Sequence, residues 1–170
     1  EHEILAFSLT PRGRARVEAL HHLSGGNHRL YVILSEFISR DSLDNLVRPF
    51  EEMVDDLTPY YQERLRCLTA QQRKIVEYLC TCERPTPVKD IARGVFASQQ
   101  TVASQLKTLR ELGYVEAHSR GRESLYELTE PLMRLCVEAK ENQQSEPLRL
   151  IVGFLRVWYD ESELSVRLAS

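Results

Sequence analysis

The chain has 170 residues, of which 42% are hydrophobic and 28% charged, and its formal charge is −3. This composition is typical of a soluble globular protein with room for one ordinary domain or two small ones. The slight negative charge excludes a chain that is basic throughout, so any surface for nucleic acid has to be local. Apolar runs fall short of the roughly 18–20 residues of a membrane span. Charged residues interrupt the first 24 positions, so we predict a cytoplasmic protein without a signal peptide.

The first 67 residues are predicted to be entirely helical. Val17, Leu20 and Leu23 share one face of a short helix over 13–24, and the Gly-Gly pair at 25–26 favours its end. Asn27 is a suitable N-cap for the next helix, whose apolar residues are Leu30, Ile33, Leu34, Phe37 and Ile38. A long acidic helix follows, capped by Asp41 or Ser42 and carrying Phe50, Met53, Val54 and Leu57. Pro59 predicts a break at 57–59 and a further helix through 60–68.

The second half has a different pattern. Thr69 is a suitable N-cap for a helix over 70–82 that buries Ile75, Val76, Leu79 and one of Cys80 and Cys82. The two prolines of 83–87 predict a loop, and 88–96 a short helix presenting Val88, Ile91, Ala92 and Val95. A helix over 97–112 ends at Gly113, and strand, turn and strand follow over 114–129, with Gly121 at the turn. Two more helices are predicted, over 131–142 (with Leu132, Leu135, Cys136 and Ala139 on one face) and, after a polar linker, from Leu148 onwards.

The four cysteines, Cys67, Cys80, Cys82 and Cys136, are predicted to be reduced thiols, at least three of them partly buried. Cys80 and Cys82 lie about 200° apart around a helix and do not share a metal site. His21 and His22 are adjacent, and no nearby carboxylate completes a ligand set. We therefore predict no metal and no cofactor for this chain.

The helix over 97–112 carries two different faces. Val102, Leu106, Leu109 and Leu112 fall at i, i+4, i+7 and i+10 and form the predicted core face. The opposite side is rich in neutral hydrogen-bonding groups and poor in carboxylates. Gln99, Gln100 and Ser104 have the chemistry to read base edges in a major groove. Thr101, Lys107, Thr108 and Arg110 are suited to phosphates, as are Arg120 and Arg122 at the tip of the hairpin.

Helix, helix, turn, helix and β-hairpin are the elements of a winged helix-turn-helix. The segment "TVASQLKTLRELGYVEAHSRGRESLYELT" resembles the recognition helix and wing of bacterial and archaeal winged-helix transcription regulators, and the likeness extends over 69–129. The resemblance implies double-stranded DNA as a partner. Nine Lys and Arg against seven Asp and Glu in this range give only a small positive excess. Dimerisation or other contacts would then add affinity.

A second resemblance concerns residues 13–68. "LSGGNHRLYVIL" and the helical stretch after it are similar to the lid of P-loop ATPases of the AAA+/STAND type, with His28 where the family has proline. The resemblance implies that Arg29 faces nucleotide phosphates as a sensor; an ordinary capping or salt-bridging arginine is the alternative. The sequence contains no G-x-x-x-x-G-K-[ST] loop, so the chain alone is not expected to be an enzyme. Since it begins without Met, we expect it to be part of a longer protein whose upstream ATPase core binds ATP and Mg²⁺.

These patterns predict a mainly α protein with a small β-hairpin wing and three regions: a helical lid-like domain over 1–67, a winged helix-turn-helix over 68–130 and C-terminal helices over 131–170. The acidic group Glu51, Glu52, Asp55 and Asp56 is interpreted as a solvated helix face rather than a cation site. The preferred function is a DNA-binding regulatory module. The alternative is an interaction module that regulates an ATPase core, or forms a homodimer through the apolar helix at 148–159, without binding DNA.

Overall fold

The computed structural model describes residues 9–35, 44–82, 84–121 and 123–141. They fall into two compact units, the first reaching residue 56 and the second covering 57–141. Within them the chain is mainly helical, with one small three-stranded antiparallel sheet. The predicted fold class is therefore confirmed. Over the described part of the chain, every helix is too short or too polar to cross a bilayer.

The first unit begins with helices α1 (Pro11–Ser24) and α2 (His28–Ser35). Gly25 ends α1 in the left-handed conformation, with φ 55°, and the Asn27 side chain accepts a hydrogen bond from the Arg29 backbone N–H at 3.1 Å. Both predicted caps are thus confirmed. Leu20, Leu23 and Leu30 are buried. Val17 and Ile33 are only half-buried, whereas the predicted core positions Phe37 and Ile38 and the N-cap candidates Asp41 and Ser42 lie outside the described residues.

Helix α3 runs without interruption from Asp44 to Arg66, so the break predicted at 57–59 is wrong. Its buried stripe continues through Val54, Leu57 and Tyr61 on either side of the proline. Pro59 has no N–H to donate to the carbonyl of Asp55, four residues earlier in the helix. Both residues are exposed, so that carbonyl can bind water instead. Continuous burial along the stripe outweighs the roughly 3 kcal/mol that an interior proline costs. The predicted solvated group of Glu51, Glu52, Asp55 and Asp56 is exposed, as expected.

Helix α4 (Ala70–Thr81) opens the helix-turn-helix region. Thr69 and Gln72 form a capping box, in which each side chain accepts from the other residue's backbone N–H. Ile75, Val76 and Leu79 are buried together with Cys80, while Cys82 is half-buried. Cys67 is exposed and Cys136 buried, so three of the four free thiols are at least partly buried, as predicted.

Helices α5 (Val88–Gly94) and α6 (Gln99–Glu111) follow. Val102, Leu106 and Leu109 of α6 have no exposed surface, but Leu112 is 54% exposed, so its assignment to the core face is wrong. Leu112 is ten positions after Val102 and therefore lies about 80° from it around the helix, which takes it off the buried face. Gly113, with φ 74°, ends α6 in a Schellman motif: its N–H bonds to the Arg110 carbonyl and the Tyr114 N–H to the Leu109 carbonyl.

The sheet contains β1 (Thr86–Pro87), β2 (Val115–Arg120) and β3 (Glu123–Leu128), in the order β1-β3-β2. Strand β1 occupies part of the stretch predicted to be a loop, so that prediction is corrected there. The strand was not predicted because two residues are too few to show an alternating pattern. Pro87 is tolerated in it because a proline at a sheet edge need not donate a hydrogen bond to the ladder. Helix α7 (Leu132–Glu141) closes the unit by burying Leu132, Leu135 and Cys136. The predicted linker and last helix lie outside the described residues.

Candidate nucleic-acid interface

The outer side of helix α6 is open to solvent. Most of the residues of this helix that the sequence predicts to contact DNA are exposed, namely Gln99, Gln100, Thr101, Ser104, Lys107 and Arg110. Thr108 is half-buried. The opposite side holds α6 in the core through its three buried apolar residues. The structure therefore brings seven of the predicted site residues together on one helix.

The N-terminal end of α6 is fixed by a side-chain cap. Ser98 Oγ accepts a hydrogen bond from the Thr101 N–H at 3.1 Å and lies 2.8 Å from the Thr101 hydroxyl. The first turn contains no acidic residue, so the partial positive charge of the helix end is not offset locally. Such an end favours an anionic group such as a phosphate.

Two of the predicted contacts are already engaged within the helix. The Thr101 hydroxyl is in contact with Ser98, and the Thr108 hydroxyl donates to the Ser104 carbonyl at 3.5 Å. The Thr108 hydroxyl retains acceptor capacity while its proton is used within the helix, and either hydroxyl of the Ser98–Thr101 pair can be the donor. Gln99, Gln100, Ser104, Lys107 and Arg110 are exposed and are the remaining predicted contacts on this helix.

The wing is held beside the helix-turn-helix by its own register and by an ion pair. In the register of the two strands, the backbone of Arg120 lies opposite that of Glu123 across a tight turn in which Gly121 has φ 64°. Lys89 Nζ of α5 lies 3.2 Å from Glu123 Oε1 of β3, with both groups about half exposed. The side chain of Arg120 and the whole of Arg122 lie outside the described residues, so their phosphate contacts stay a prediction.

Phe96, in the turn between α5 and α6, was missed by the sequence analysis. It is 97% exposed and has φ 55°, the left-handed region in which glycine is the usual residue. Its N–H bonds to the Arg93 carbonyl, and the Ala97 N–H bonds to the Ala92 carbonyl. Helix α5 therefore ends in the same Schellman motif as α6, with phenylalanine where α6 has Gly113. The sequence signal is an aromatic residue inside a short turn between two helices.

A side-chain network fixes the connection between α6 and β2. Arg64 of α3 donates to Glu130 Oε1 at 2.6 Å and to the Gly113 carbonyl at 3.2 Å. Its guanidinium lies 4.5 Å from the centre of the Tyr114 ring, and the Tyr114 hydroxyl donates to the Arg64 carbonyl at 2.8 Å. Burial lowers the pKa of Arg64, but the neighbouring Glu130 carboxylate and Tyr60 outweigh it and raise the pKa overall. Arg64 therefore stays charged, and its contacts with Glu130, Gly113 and Tyr114 hold the C-terminal end of α6 in place.

Arg29, the predicted nucleotide sensor, is an exposed residue in the first turn of α2. Its backbone N–H donates to the Asn27 side chain in the cap described above. A helix N-terminus with an arginine suits an anion. Its contact with a nucleotide stays a prediction.

The fold of the second unit is a winged helix-turn-helix: α4, α5 and α6 form the helical core, and β2 and β3 form the wing beside it. Residues 69–117 match the family model described as "Bacterial regulatory protein, arsR family". This match covers less than a third of the chain and comprises the helix-turn-helix and the first three residues of strand β2.

Two solved structures of MepR from S. aureus are similar to the chain. One is a mutant bound to an oligodeoxyribonucleotide, with 15% identity and a TM-score of 0.40, covering 76% of this chain and 93% of its own. The other is a mutant from a multidrug-resistant clinical isolate, with 19% identity, a TM-score of 0.39 and the same two coverages. Among curated proteins, none matches the chain.

Proposed function

We propose that residues 69–129 bind double-stranded DNA as a regulatory module, with α6 in the major groove and the wing on the backbone. The observation that carries the proposal is the exposed, carboxylate-free first turn of α6 in a region that matches a family of bacterial regulatory proteins. A major groove about 12 Å wide admits one helix with this kind of polar face.

Within the proposed complex the residues have different roles. Gln99, Gln100 and Ser104 read base edges, with glutamine suited to adenine. Lys107 and Arg110, with Arg120 and Arg122 of the wing, contact phosphates and so set position and affinity rather than sequence preference. Phe96 precedes the Ser98 cap in the turn, and its exposed ring offers an apolar contact for a thymine methyl group or a deoxyribose.

The test is a titration of fluorescent duplexes with the whole chain at several salt concentrations. We expect Lys107→Ala to weaken binding to all duplexes alike and to reduce the slope of log K against log salt by about one. Lys74→Ala is the matched control, since Lys74 is an exposed cation on α4 outside the proposed surface. The double variant Arg120→Ala, Arg122→Ala should reduce the slope by about two.

Base reading is tested on a duplex selected from a random pool. Gln99→Ala and Gln100→Ala should each cost roughly 1–3 kcal/mol on the selected duplex and almost nothing on a scrambled one. Absence of salt-dependent binding to any duplex would overturn the proposal. In that case light scattering would show whether the chain instead forms a homodimer, which is the interaction-module alternative.

We further propose that this module is the C-terminal part of a larger ATP-binding protein, with the ATPase core as an intramolecular partner. The support is the resemblance of 13–68 to an ATPase lid and the exposed position of Arg29 at a helix N-terminus. The residues that precede Glu1 in the gene test this directly. A phosphate-binding loop within the preceding few hundred residues is expected, and an unrelated upstream sequence would contradict the proposal.

A further inference from the structure

Three ligand-bearing side chains meet on the hairpin, and we call them the wing cluster: Glu116, His118 and Glu127. Glu116 and His118 are two residues apart on β2 and so project from the same side of the sheet. Glu127 of β3 is the direct partner of Glu116 in the antiparallel ladder. His118 Nε2 lies 2.5 Å from Glu127 Oε1 and 3.5 Å from Glu116 Oε1. One nitrogen and two oxygens therefore lie within 4.8 Å of one another.

This arrangement is stabilised by a positive charge, which a proton on His118 or a bound cation can supply. Two carboxylates directly opposite each other on neighbouring strands repel and destabilise the pairing. The strands are nevertheless paired in register over six positions, from Val115 with Leu128 to Arg120 with Glu123. The backbone thus holds the two carboxylates and the imidazole at a spacing that a single cation can bridge.

We propose that the wing cluster binds a divalent first-row transition metal ion such as Zn²⁺ or Co²⁺. An imidazole nitrogen with two carboxylate oxygens is a donor set that such ions accept. Ca²⁺ and Mg²⁺ prefer sites made of oxygen atoms alone. Three protein ligands leave at least one coordination position for water, and the half-exposed Glu116 and His118 leave the site accessible from solvent.

Binding would act on the hairpin in two ways. The ion would join β2 to β3 near the middle of the ladder, because Glu116 and His118 belong to one strand and Glu127 to the other. It would also neutralise two negative charges on the element assigned to the DNA backbone, which is expected to strengthen binding to phosphates. This second effect rests on the proposed function, whereas metal binding itself does not.

The experiment is a titration of the whole chain with Co²⁺, followed by visible absorption, and with Zn²⁺, followed by calorimetry and by thermal unfolding. The wild type should bind one ion, with a rise in Tm on addition of Zn²⁺. Glu127→Gln and His118→Ala should lose more than the roughly 10–100-fold in affinity that removal of an outer hydrogen-bond partner costs. Because these residues are at least partly exposed, the variants are expected to fold, and far-ultraviolet circular dichroism checks this.

Glu123→Gln is the matched control. It removes a carboxylate from the same hairpin and changes the net charge by the same amount, but Glu123 bonds to Lys89 and lies outside the cluster. Its affinity for Co²⁺ should equal that of the wild type. Equal losses in Glu123→Gln and Glu127→Gln, unchanged affinity in His118→Ala, or no binding of either ion would each overturn the proposal. A thiolate-to-cobalt charge-transfer band would do so too, by assigning the ion to Cys67 or Cys82.

None of these measurements uses DNA, so failure of the metal site and failure of the proposed function are separate results. A duplex titration with and without Zn²⁺ adds the regulatory readout. We expect Zn²⁺ to increase affinity for duplexes in the wild type and in Glu123→Gln but not in His118→Ala.

Discussion

Replacement of Phe96 by glycine is expected to stabilise the protein. Phe96 has φ 55° at the end of α5, and the left-handed conformation costs an L-residue about 1–2 kcal/mol. Its side chain is 97% exposed, so truncation removes almost no buried surface. Glycine relieves the backbone strain but gives the unfolded chain more freedom, at a cost of roughly 0.5–1 kcal/mol. The free energy of unfolding should therefore rise by about 0.5–1 kcal/mol.

Phe96→Ala is the control, because it removes the ring but keeps the Cβ atom that makes φ 55° unfavourable. Its free energy of unfolding should stay within about 0.5 kcal/mol of the wild type. Urea unfolding followed by far-ultraviolet circular dichroism measures both variants, with equal m-values as the check that the unfolded states are comparable. A Phe96→Gly variant less stable than Phe96→Ala would refute the reasoning. In the duplex titration both variants lose the ring, so weaker binding accompanied by higher stability in Phe96→Gly would assign the ring to the interface.

Three further changes test the packing of the second unit. Arg64→Met leaves the Glu130 carboxylate without a cation 2.6 Å away and should cost about 2–4 kcal/mol in urea unfolding, part of which Glu130→Gln in the same chain restores. Gly94→Ala should cost about 1–3 kcal/mol, since a Cβ atom there would clash with the ring of Tyr78. Burial raises the pKa of Cys136 from 9.0 to about 12, so the unfolded chain loses the thiol proton first as pH rises. The stability this thiol contributes is full below pH 9 and is lost between pH 9 and about 12, by up to about 4 kcal/mol. Urea unfolding at about pH 7 and at about pH 10 measures this loss, and the free energy of unfolding should fall less between the two pH values in Cys136→Ala than in the wild type.

Each of these expectations has a result that contradicts it. Additive effects of Arg64→Met and Glu130→Gln would show that the two groups are not coupled. A more stable Gly94→Ala would mean that the Tyr78 ring moves aside and that the helix propensity of alanine decides the outcome. An identical pH dependence in the wild type and Cys136→Ala would assign the alkaline loss to other groups.

The sequence predicts those elements whose causes are local. Thr69 with Gln72, and Gly113 after α6, set helix ends through contacts within a few residues. The apolar spacing of Val102, Leu106 and Leu109 identifies the buried face of α6 without knowledge of what covers it. The polar face opposite follows from the same periodicity, which is why most of the candidate site could be predicted as one surface.

The features that escaped prediction depend on distant parts of the chain. Helix α3 continues past Pro59 because its apolar stripe is buried, a tertiary effect that overrides the local preference of proline. Phe96 is different, since its glycine-like conformation arises in a local Schellman motif but no glycine marks that position in the sequence. Glu130 is 66 positions from Arg64, and neither residue belongs to a pattern that indicates the other. The wing cluster likewise becomes visible only once the register places Glu127 opposite Glu116.

Strand β1 shows how a small sheet can avoid growing from one molecule into the next. It is the edge of the sheet beside β3, it is only two residues long, and one of those residues is Pro87, which has no N–H to offer. An incoming extended segment therefore finds almost no ladder to continue on that side. Strand β1 thus protects this edge of the sheet against strand-to-strand aggregation at high protein concentration.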